Sequence, residues 1–280
     1  RIPAKIAEIE AELGVGNTMP GILPRLAQYE LTLLDWIEAN KGTAQYVVMA
    51  NKCWPAFQTE FGFVPCYVNS RLTAQGICTA CEVDIYGALS EYIGTCLTGE
   101  CVTLLDINNT VPADLYAADI AGKFPYRLNE TFMGFHCGNT PMCRLTKGTM
   151  KYQLIMNRGL ENGGEPDITR GTLEGDIAPG EITFYRLQGN KDSQLQAYVA
   201  EGEVLPVACH SFGGIGVFAI PEMNRFYRHV LIEGGYPHHG AVAFKHTGKA
   251  FFALMKLLGV EKVQFNQPAG MLYKSENPFA

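Results

Sequence analysis

Residues 81–106 read CEVDIYGALSEYIGTCLTGECVTLLD, and the fold is inferred outward from this segment. Residues 85–96 carry apolar side chains at steps of three and four, which predicts an amphipathic helix. Asp84 stands where an N-cap is expected, and Gly99 where a helix stops. The apolar run 101–105 then predicts a short buried strand that ends at Asp106.

Two carboxylates frame this stretch. Glu82 precedes the predicted helix, and Asp106 ends the strand that follows it. In an open α/β sheet, groups at the carboxyl ends of strands gather in one crevice. Two acids there can hold a divalent cation, move a proton, or do both. The alternative is that Glu82 and Asp84 merely start a helix while Asp106 caps a turn.

The composition limits the classes of protein to which the chain can belong. The 280 residues are 47% hydrophobic and 18% charged, and the net charge is −6, so a globular chain without a nucleic-acid footprint is expected. No apolar run reaches about eighteen residues, so a membrane span is not expected. The nine cysteines are scattered and odd in number, which is typical of reduced thiols in a cytoplasmic protein.

The N-terminal part alternates helix and strand. Helices are predicted over residues 2–13 and 22–40, followed by a buried strand over 45–50 and a short helix that begins at Pro55. Such alternation is typical of an α/β domain. We therefore predict an open α/β domain over residues 1–100.

The C-terminal part has a different pattern, in which short strands predominate. An apolar strand over 131–136 is followed by five short predicted strands, separated by Gly, Asp, Asn and Pro, at 151–156, 169–173, 181–187, 195–199 and 216–220. Helices follow at 221–232 and 247–258, and a last strand at 260–265. This pattern predicts an antiparallel β-barrel domain with C-terminal helices over residues 101–280.

Histidines supply the third kind of donor. His238 and His239 fall in the glycine-rich segment 234–240, which we predict to be a loop between helices. Glycines there would let backbone approach a ligand closely. A site of mixed oxygen and nitrogen donors suits Mn²⁺, Mg²⁺ or Fe²⁺. The alternative is a solvated loop with no ligand.

Two further residues can line a crevice at the end of a strand. His136 ends a predicted strand before a glycine turn, and Trp54 follows Lys52 in a loop at the end of another. An exposed aromatic ring such as that of Trp54 stacks on sugar faces, and a buried core ring is the alternative. For His136 the alternative is a hydrogen-bonded wall residue.

The cysteines allow a zinc hypothesis. Cys78 and Cys81 form a CxxC motif, with Cys96 and Cys101 further on. Against this hypothesis, Cys96 falls on the apolar face of the predicted helix and Cys101 starts the predicted strand. We therefore interpret these thiols as small buried hydrophobic groups.

Together these motifs resemble the L-fucose isomerase family. Glu82-x-Asp84, the Leu-Thr-Gly turn at 97–99 and Asp106 look like its metal-binding core. The segment PHHGA at 237–241 resembles its C-terminal metal-histidine segment. Further similar motifs are FHCGN at 135–139, GTLEG at 171–175 and ITFYRL at 182–187. The resemblance covers about residues 47–268.

The resemblance implies a metal-dependent aldose–ketose isomerase that acts on a pentose or 6-deoxyhexose through an ene-diol. Mn²⁺ is the implied cofactor, and other divalent cations are possible. The implied metal ligands are Glu82, Asp106 and His239, of which the two carboxylates are also the catalytic pair. His238 stands where the family usually has a sugar-binding Asn, so we assign it to substrate binding, together with Trp54 and His136.

The resemblance also implies an assembly. Family members form homotrimers or homohexamers and carry a further N-terminal α/β domain, so this chain resembles their C-terminal two thirds or less. Two alternatives follow: a non-catalytic sugar-binding protein, or a C-terminal fragment that is inactive without its N-terminal portion.

Overall fold

The structure is a computed structural model that describes residues 1–53, 56–108, 110–153 and 169–279. The chain forms two compact units. The first unit comprises Arg1–Ala88, His136–Ile177 and His210–Ile215. The second unit comprises Leu89–Phe135, Ala178–Cys209 and Gly216–Ala280. The domain division into residues 1–100 and 101–280 stays a prediction.

The helices, in chain order, are α1 (Ile2–Leu13), α2 (Leu23–Asn40), α3 (Ala56–Phe61), α4 (Cys66–Ala74), α5 (Ile85–Thr98), α6 (Ala113–Asp119), α7 (Met223–Phe226) and α8 (Gly248–Leu257). A π-helix over Tyr227–Ile232 continues α7. The strands are β1 (Met49–Ala50), β2 (Thr79–Ala80), β3 (Thr103–Asn108), β4 (Thr131–His136), β5 (Thr149–Gln153), β6 (Thr169–Asp176), β7 (Gly180–Gly189), β8 (Leu195–Leu205), β9 (Gly214–Ala219), β10 (His239–Ala243) and β11 (Lys262–Phe265).

The first unit holds α1 to α4 and two small pairs of strands. Strands β1 and β2 are parallel, whereas β5 and β6 are antiparallel. The predicted strand over 45–50 is wrong except for its last two residues, because ladder hydrogen bonding begins only where Met49 N–H donates to Cys78 O. Of the predicted strand at 151–156, residues 154–156 lie outside the described residues.

Helix α5 confirms the prediction made from its flanking residues. The side-chain Oδ1 of Asp84 accepts a hydrogen bond of 2.8 Å from Gly87 N–H, which is an N-cap interaction. At the other end Gly99 has φ 69°, the left-handed conformation that commonly stops a helix.

The second unit is built on a large, mainly antiparallel sheet. Neighbouring strands follow the order β11-β8-β7-β10-β3-β4-β9, and β8 also pairs with β9. The pairs β7–β8, β7–β10, β3–β10, β3–β4 and β8–β9 are antiparallel, and β8–β11 is parallel. The predicted mixed α/β fold with a large sheet is therefore confirmed, whereas a closed barrel stays a prediction.

Two predictions around the histidines and Asp106 are wrong. The segment that carries His239 is not only a loop, because His239 begins strand β10, which lies between β3 and β7. All five residues of β10 are buried, so it lacks the alternation by which a half-buried strand is recognised. Asp106 does not end its strand either, since β3 continues to Asn108 and pairs with Met133.

Among the described residues, no helix has both the length and the apolar character that crossing a bilayer requires.

Candidate metal and active site

Strand pairing in the second unit brings Asp106 together with two histidines. His239 is the ladder partner of Asp106, and its Nε2 lies 3.0 Å from Asp106 Oδ1. His238 Nε2 lies 3.6 Å from the same oxygen, and the two imidazole centroids are 4.4 Å apart. Two imidazole nitrogens therefore approach one carboxylate oxygen.

Exposure increases across this group. The side chain of His239 is 6% exposed, that of Asp106 26% and that of His238 57%. His239 is thus fixed in the core, whereas His238 faces solvent. A ligand would therefore meet His238 and Asp106 before His239.

The position of His238 just before β10 explains why both rings reach one carboxylate. Successive side chains along a strand point to opposite faces. His238 lies outside β10, so this alternation does not separate it from His239. Its carbonyl is still held, because it accepts a hydrogen bond of 2.8 Å from Ile107 N–H of β3.

A glycine follows His239 for steric reasons. A Cβ at Gly240 would lie 2.1 Å from the Phe184 ring and 2.8 Å from the Tyr198 hydroxyl. Those two rings pack with centroids 5.4 Å apart in the core of the second unit. The His-Gly sequence at 239–240 therefore lets the backbone lie directly on this aromatic pair.

Glu82 lies in the first unit, on an unusual backbone. Glu82 and Val83 have φ of 59° and 60°, in the left-handed region that non-glycine residues rarely adopt. Hydrogen bonds hold this turn: Val83 N–H donates to Asn51 O at 3.0 Å, and Asp84 N–H donates to Cys81 O at 3.0 Å. Backbone strain of about 1–3 kcal/mol per residue persists when surrounding structure enforces it, often at functional sites.

The structure describes one of the two remaining predicted sugar contacts. His136 ends β4 and is buried, with 3% of its surface exposed. Trp54 lies outside the described residues. The roles of both residues, and the three-ligand set of Glu82, Asp106 and His239, stay predictions.

The thiols do not support the zinc hypothesis. Cys78 and Cys81 are buried in the first unit, as predicted for small hydrophobic groups, whereas Cys96 is exposed, which corrects its placement on the apolar helix face. Within the described ranges, no three thiols lie close enough to share one metal ion. A hydrogen bond with Cys81, together with burial, raises the pKa of the Cys53 thiol, so this thiol stays protonated and unreactive near neutral pH.

Asp106 and His239 are spaced as two ligands of one divalent cation are. Metal–oxygen and metal–nitrogen bonds of about 2.0–2.2 Å place the ligands of one ion roughly 3 Å apart. The separations of 3.0 and 3.6 Å between Asp106 Oδ1 and the two imidazole nitrogens are of that size. Carboxylate and imidazole donors suit a first-row divalent ion such as Mn²⁺.

A comparison with protein families shows what residues 134–266 are similar to. Residues 134–266 match the model described as L-fucose isomerase, C-terminal domain. This part of the chain, a little under half of its length, is therefore similar to that domain. The matched residues include β7 and β10, and hence His238 and His239. The resemblance inferred from the sequence motifs is therefore confirmed.

Curated relatives are named as isomerases of one sugar. A sulfoquinovose isomerase of Clostridium sp. (strain MSTE9) is 28% identical over 230 residues, which cover 81% of this chain and 45% of the relative. One from Alkalicoccus urumqiensis is 24% identical over 257 residues, covering 89% and 50%. One from Priestia aryabhattai is 25% identical over 241 residues, covering 85% and 47%. The chain thus spans about half the length of the curated relatives it matches.

Proposed function

We propose that this chain carries the metal-binding and acid–base residues of an aldose–ketose isomerase that works through an ene-diol. The observation that carries the proposal is the approach of two imidazole nitrogens to Asp106 Oδ1, at 3.0 and 3.6 Å. The similarity to L-fucose isomerase and to the sulfoquinovose isomerases supports the same reaction class.

Sulfoquinovose is the first substrate that we propose, because the curated relatives are named for it. A pentose or a 6-deoxyhexose, the class that the motif resemblance implies, is the second choice. His238, His136 and Trp54 are the proposed sugar contacts, and the exposure of His238 suits that role.

Mn²⁺ is the proposed cofactor, held by Asp106, His239 and Glu82. When bound, a divalent ion would polarise the sugar oxygens on C1 and C2 and stabilise the negative charge that develops there. The third ligand, Glu82, is proposed from the Glu-x-Asp motif and from its strained turn.

The two carboxylates divide the proton transfers. The proton on C2 is weakly acidic, because only the neighbouring carbonyl stabilises the carbanion. One carboxylate removes this carbon-bound proton and returns it to the adjacent carbon, while the other moves the hydroxyl proton between O2 and O1. Glu82 and Asp106 have these roles in either order, and buried His239 stays in place as a metal ligand.

Two structural proposals accompany this function. The first is that the strands of the second unit close into a barrel, which the pairing of β8 with both β7 and β9 supports. The second is that the active protein is a homotrimer or homohexamer, as the family resemblance implies.

The function is tested by a turnover assay on the purified chain. Sulfoquinovose and a panel of aldoses would be supplied with Mn²⁺, before and after exhaustive EDTA treatment. We expect ketose formation that EDTA abolishes and Mn²⁺ restores. Isomerisation that survives EDTA would contradict the metal mechanism, and sugar binding without turnover would favour a non-catalytic binding protein.

A second experiment is needed because the chain spans about half the length of the curated relatives it matches. The same assay would compare this chain with the longest natural product that contains it. Turnover only in the longer protein would mean that this part is inactive without its N-terminal portion.

A further inference from the structure

We propose that Arg186, Gln188 and Gln196 form a backbone clamp that positions the His238–His239 segment for metal binding. This inference rests on the proposed function and deepens it. The three residues lie on neighbouring strands, Arg186 and Gln188 on β7 and Gln196 on β8. They are positioning residues, since they act on the backbone that carries the imidazoles.

The clamp has three contacts with the segment that leads into β10. Gln196 Nε2 donates to Gly234 O at 2.8 Å, and Gln188 Nε2 donates to Gly235 O at 3.1 Å. Arg186 Nη1 donates to His239 O at 3.2 Å. The segment is therefore held at its beginning and at its end.

The clamp residues also support each other and are buried. Arg186 Nε donates to Gln188 Oε1 at 3.3 Å. The exposed fractions are 3% for Arg186, 7% for Gln188 and 1% for Gln196. Buried polar groups are costly unless hydrogen-bonded, so each of these three side chains depends on the partners that it has here.

A local interruption of the sheet explains why a side chain is needed at His239. The β10–β7 ladder pairs Ala241 with Tyr185, and continuing it by two residues would set His239 opposite Leu187. Leu187 N–H instead donates to Ser90 Oγ of α5, at 3.0 Å. The Arg186 guanidinium supplies a donor to the His239 carbonyl where the backbone ladder has stopped.

The glycines make this support important for function. Gly235 has φ 66°, and two successive glycines give the segment large conformational freedom when it is not held. Groups that orient a metal ligand without touching the metal change metal affinity by about 10–100-fold when they are removed. The clamp therefore fixes the imidazole of His239 against Asp106.

The test separates positioning from simple stabilisation. The variants are Gln188→Met, Gln196→Met, their double variant and Arg186→Lys, which keeps the charge but changes the planar fork of donors. The matched control is Thr183→Val. Thr183 is also buried on β7 and also donates to a backbone carbonyl, that of Lys245 at 2.9 Å, but this carbonyl lies beyond the histidine segment.

Three quantities would be measured for each protein: the Kd for Mn²⁺ by calorimetry, the hydrogen exchange of residues 234–240, and Tm. We expect the double variant to raise the Kd by about 10–100-fold and to speed exchange in that segment. Thr183→Val should lower Tm without either effect. Arg186→Lys is a milder change that remains informative if the double variant does not fold.

Each negative outcome has one meaning. Unchanged hydrogen exchange in the Gln188→Met, Gln196→Met double variant overturns the clamp, whatever Kd for Mn²⁺ is measured. Faster exchange with an unchanged Mn²⁺ affinity overturns its role in metal binding. If the unmodified chain does not bind Mn²⁺, the proposed function is contradicted for this chain. Hydrogen exchange alone then decides whether the clamp exists.

Discussion

His239 lies directly opposite Asp106 in the antiparallel ladder between β10 and β3, with Nε2 3.0 Å from Oδ1. The distance between the two side chains is therefore set by strand register. A slip of one residue would turn either side chain to the other face of the sheet. The relative position of the two residues is thus fixed by the hydrogen bonds of the β10–β3 ladder.

Asp106→Asn tests the carboxylate at the centre of the group. The amide keeps the shape but removes the negative charge, so we expect weaker Mn²⁺ binding and turnover reduced by about 10²–10⁴-fold. Calorimetry and steady-state kinetics would measure these effects. Asp119→Asn, which alters an exposed pair with Lys123, is the control and should leave both quantities unchanged.

Glu82→Gln tests the second carboxylate. The proton acceptor disappears while the side-chain shape persists, so we expect turnover to fall by a similar factor, about 10²–10⁴-fold. Near-normal turnover in a folded Glu82→Gln variant would reject the assignment of this residue. The exposed Glu60 on α3 provides a control, Glu60→Gln, that should behave as the unmodified protein.

Gly240→Ala tests the close packing beside His239. The added methyl would lie 2.1 Å from the Phe184 ring, so we expect a loss of about 1–3 kcal/mol in the free energy of unfolding. Chemical denaturation would measure it. At Gly21 an added Cβ has no heavy atom within 4 Å, so Gly21→Ala should cost much less. Equal costs for the two variants would contradict the packing explanation.

Arg71→Met tests a buried ion network in the first unit. Arg71 Nε donates to Glu30 at 2.7 Å and Arg71 Nη1 to Glu12 at 2.7 Å, and the Glu30 side chain is fully buried. Removing the guanidinium leaves buried Glu30 with Lys5, 3.1 Å away, as its remaining ion-pair partner among the contacts described. We expect a loss of about 3–5 kcal/mol in the free energy of unfolding, measured by chemical denaturation.

The control for Arg71→Met is Asp35→Asn, which breaks the exposed Arg1–Asp35 pair. Exposed pairs contribute little to stability, so this variant should unfold at the same denaturant concentration as the unmodified chain. A large effect of Asp35→Asn, or none of Arg71→Met, would show that burial does not govern these pairs.

Glu130→Gln tests acid stability. The Arg127 side chain, together with the backbone N–H groups of Glu222 and Arg127, lowers the pKa of Glu130 from its ordinary 4.5 to about 2. A carboxylate whose pKa is lowered by folding stabilises the protein fully above the unfolded pKa, and this stabilisation is lost as the pH falls towards the folded pKa.

We therefore expect the unmodified chain to lose stability as the pH falls from about 5 towards about 2, and Glu130→Gln to lose less over this range. Above pH 5 the variant should be the less stable of the two. Urea titrations at several pH values would measure both slopes. Parallel slopes would contradict the role of Glu130.

Strong periodicity and end signals made parts of the fold predictable. Helix α1 was predicted with its observed bounds, and α5 with its Asp84 cap and Gly99 stop. Strand β4 was predicted over its full length. Helix α4 was not predicted, because its residues are buried on nearly every side and so show no amphipathic period.

The motifs alone indicated which donors are present: two carboxylates near α5, and a pair of histidines followed by a glycine. The motifs did not indicate that Asp106 and His239 are ladder partners, or that Arg186 donates to the His239 carbonyl where the backbone ladder stops. The reason is physical. A buried strand such as β10 gives no periodic signal, and its partners are chosen by hydrogen bonding and packing between segments far apart in the chain.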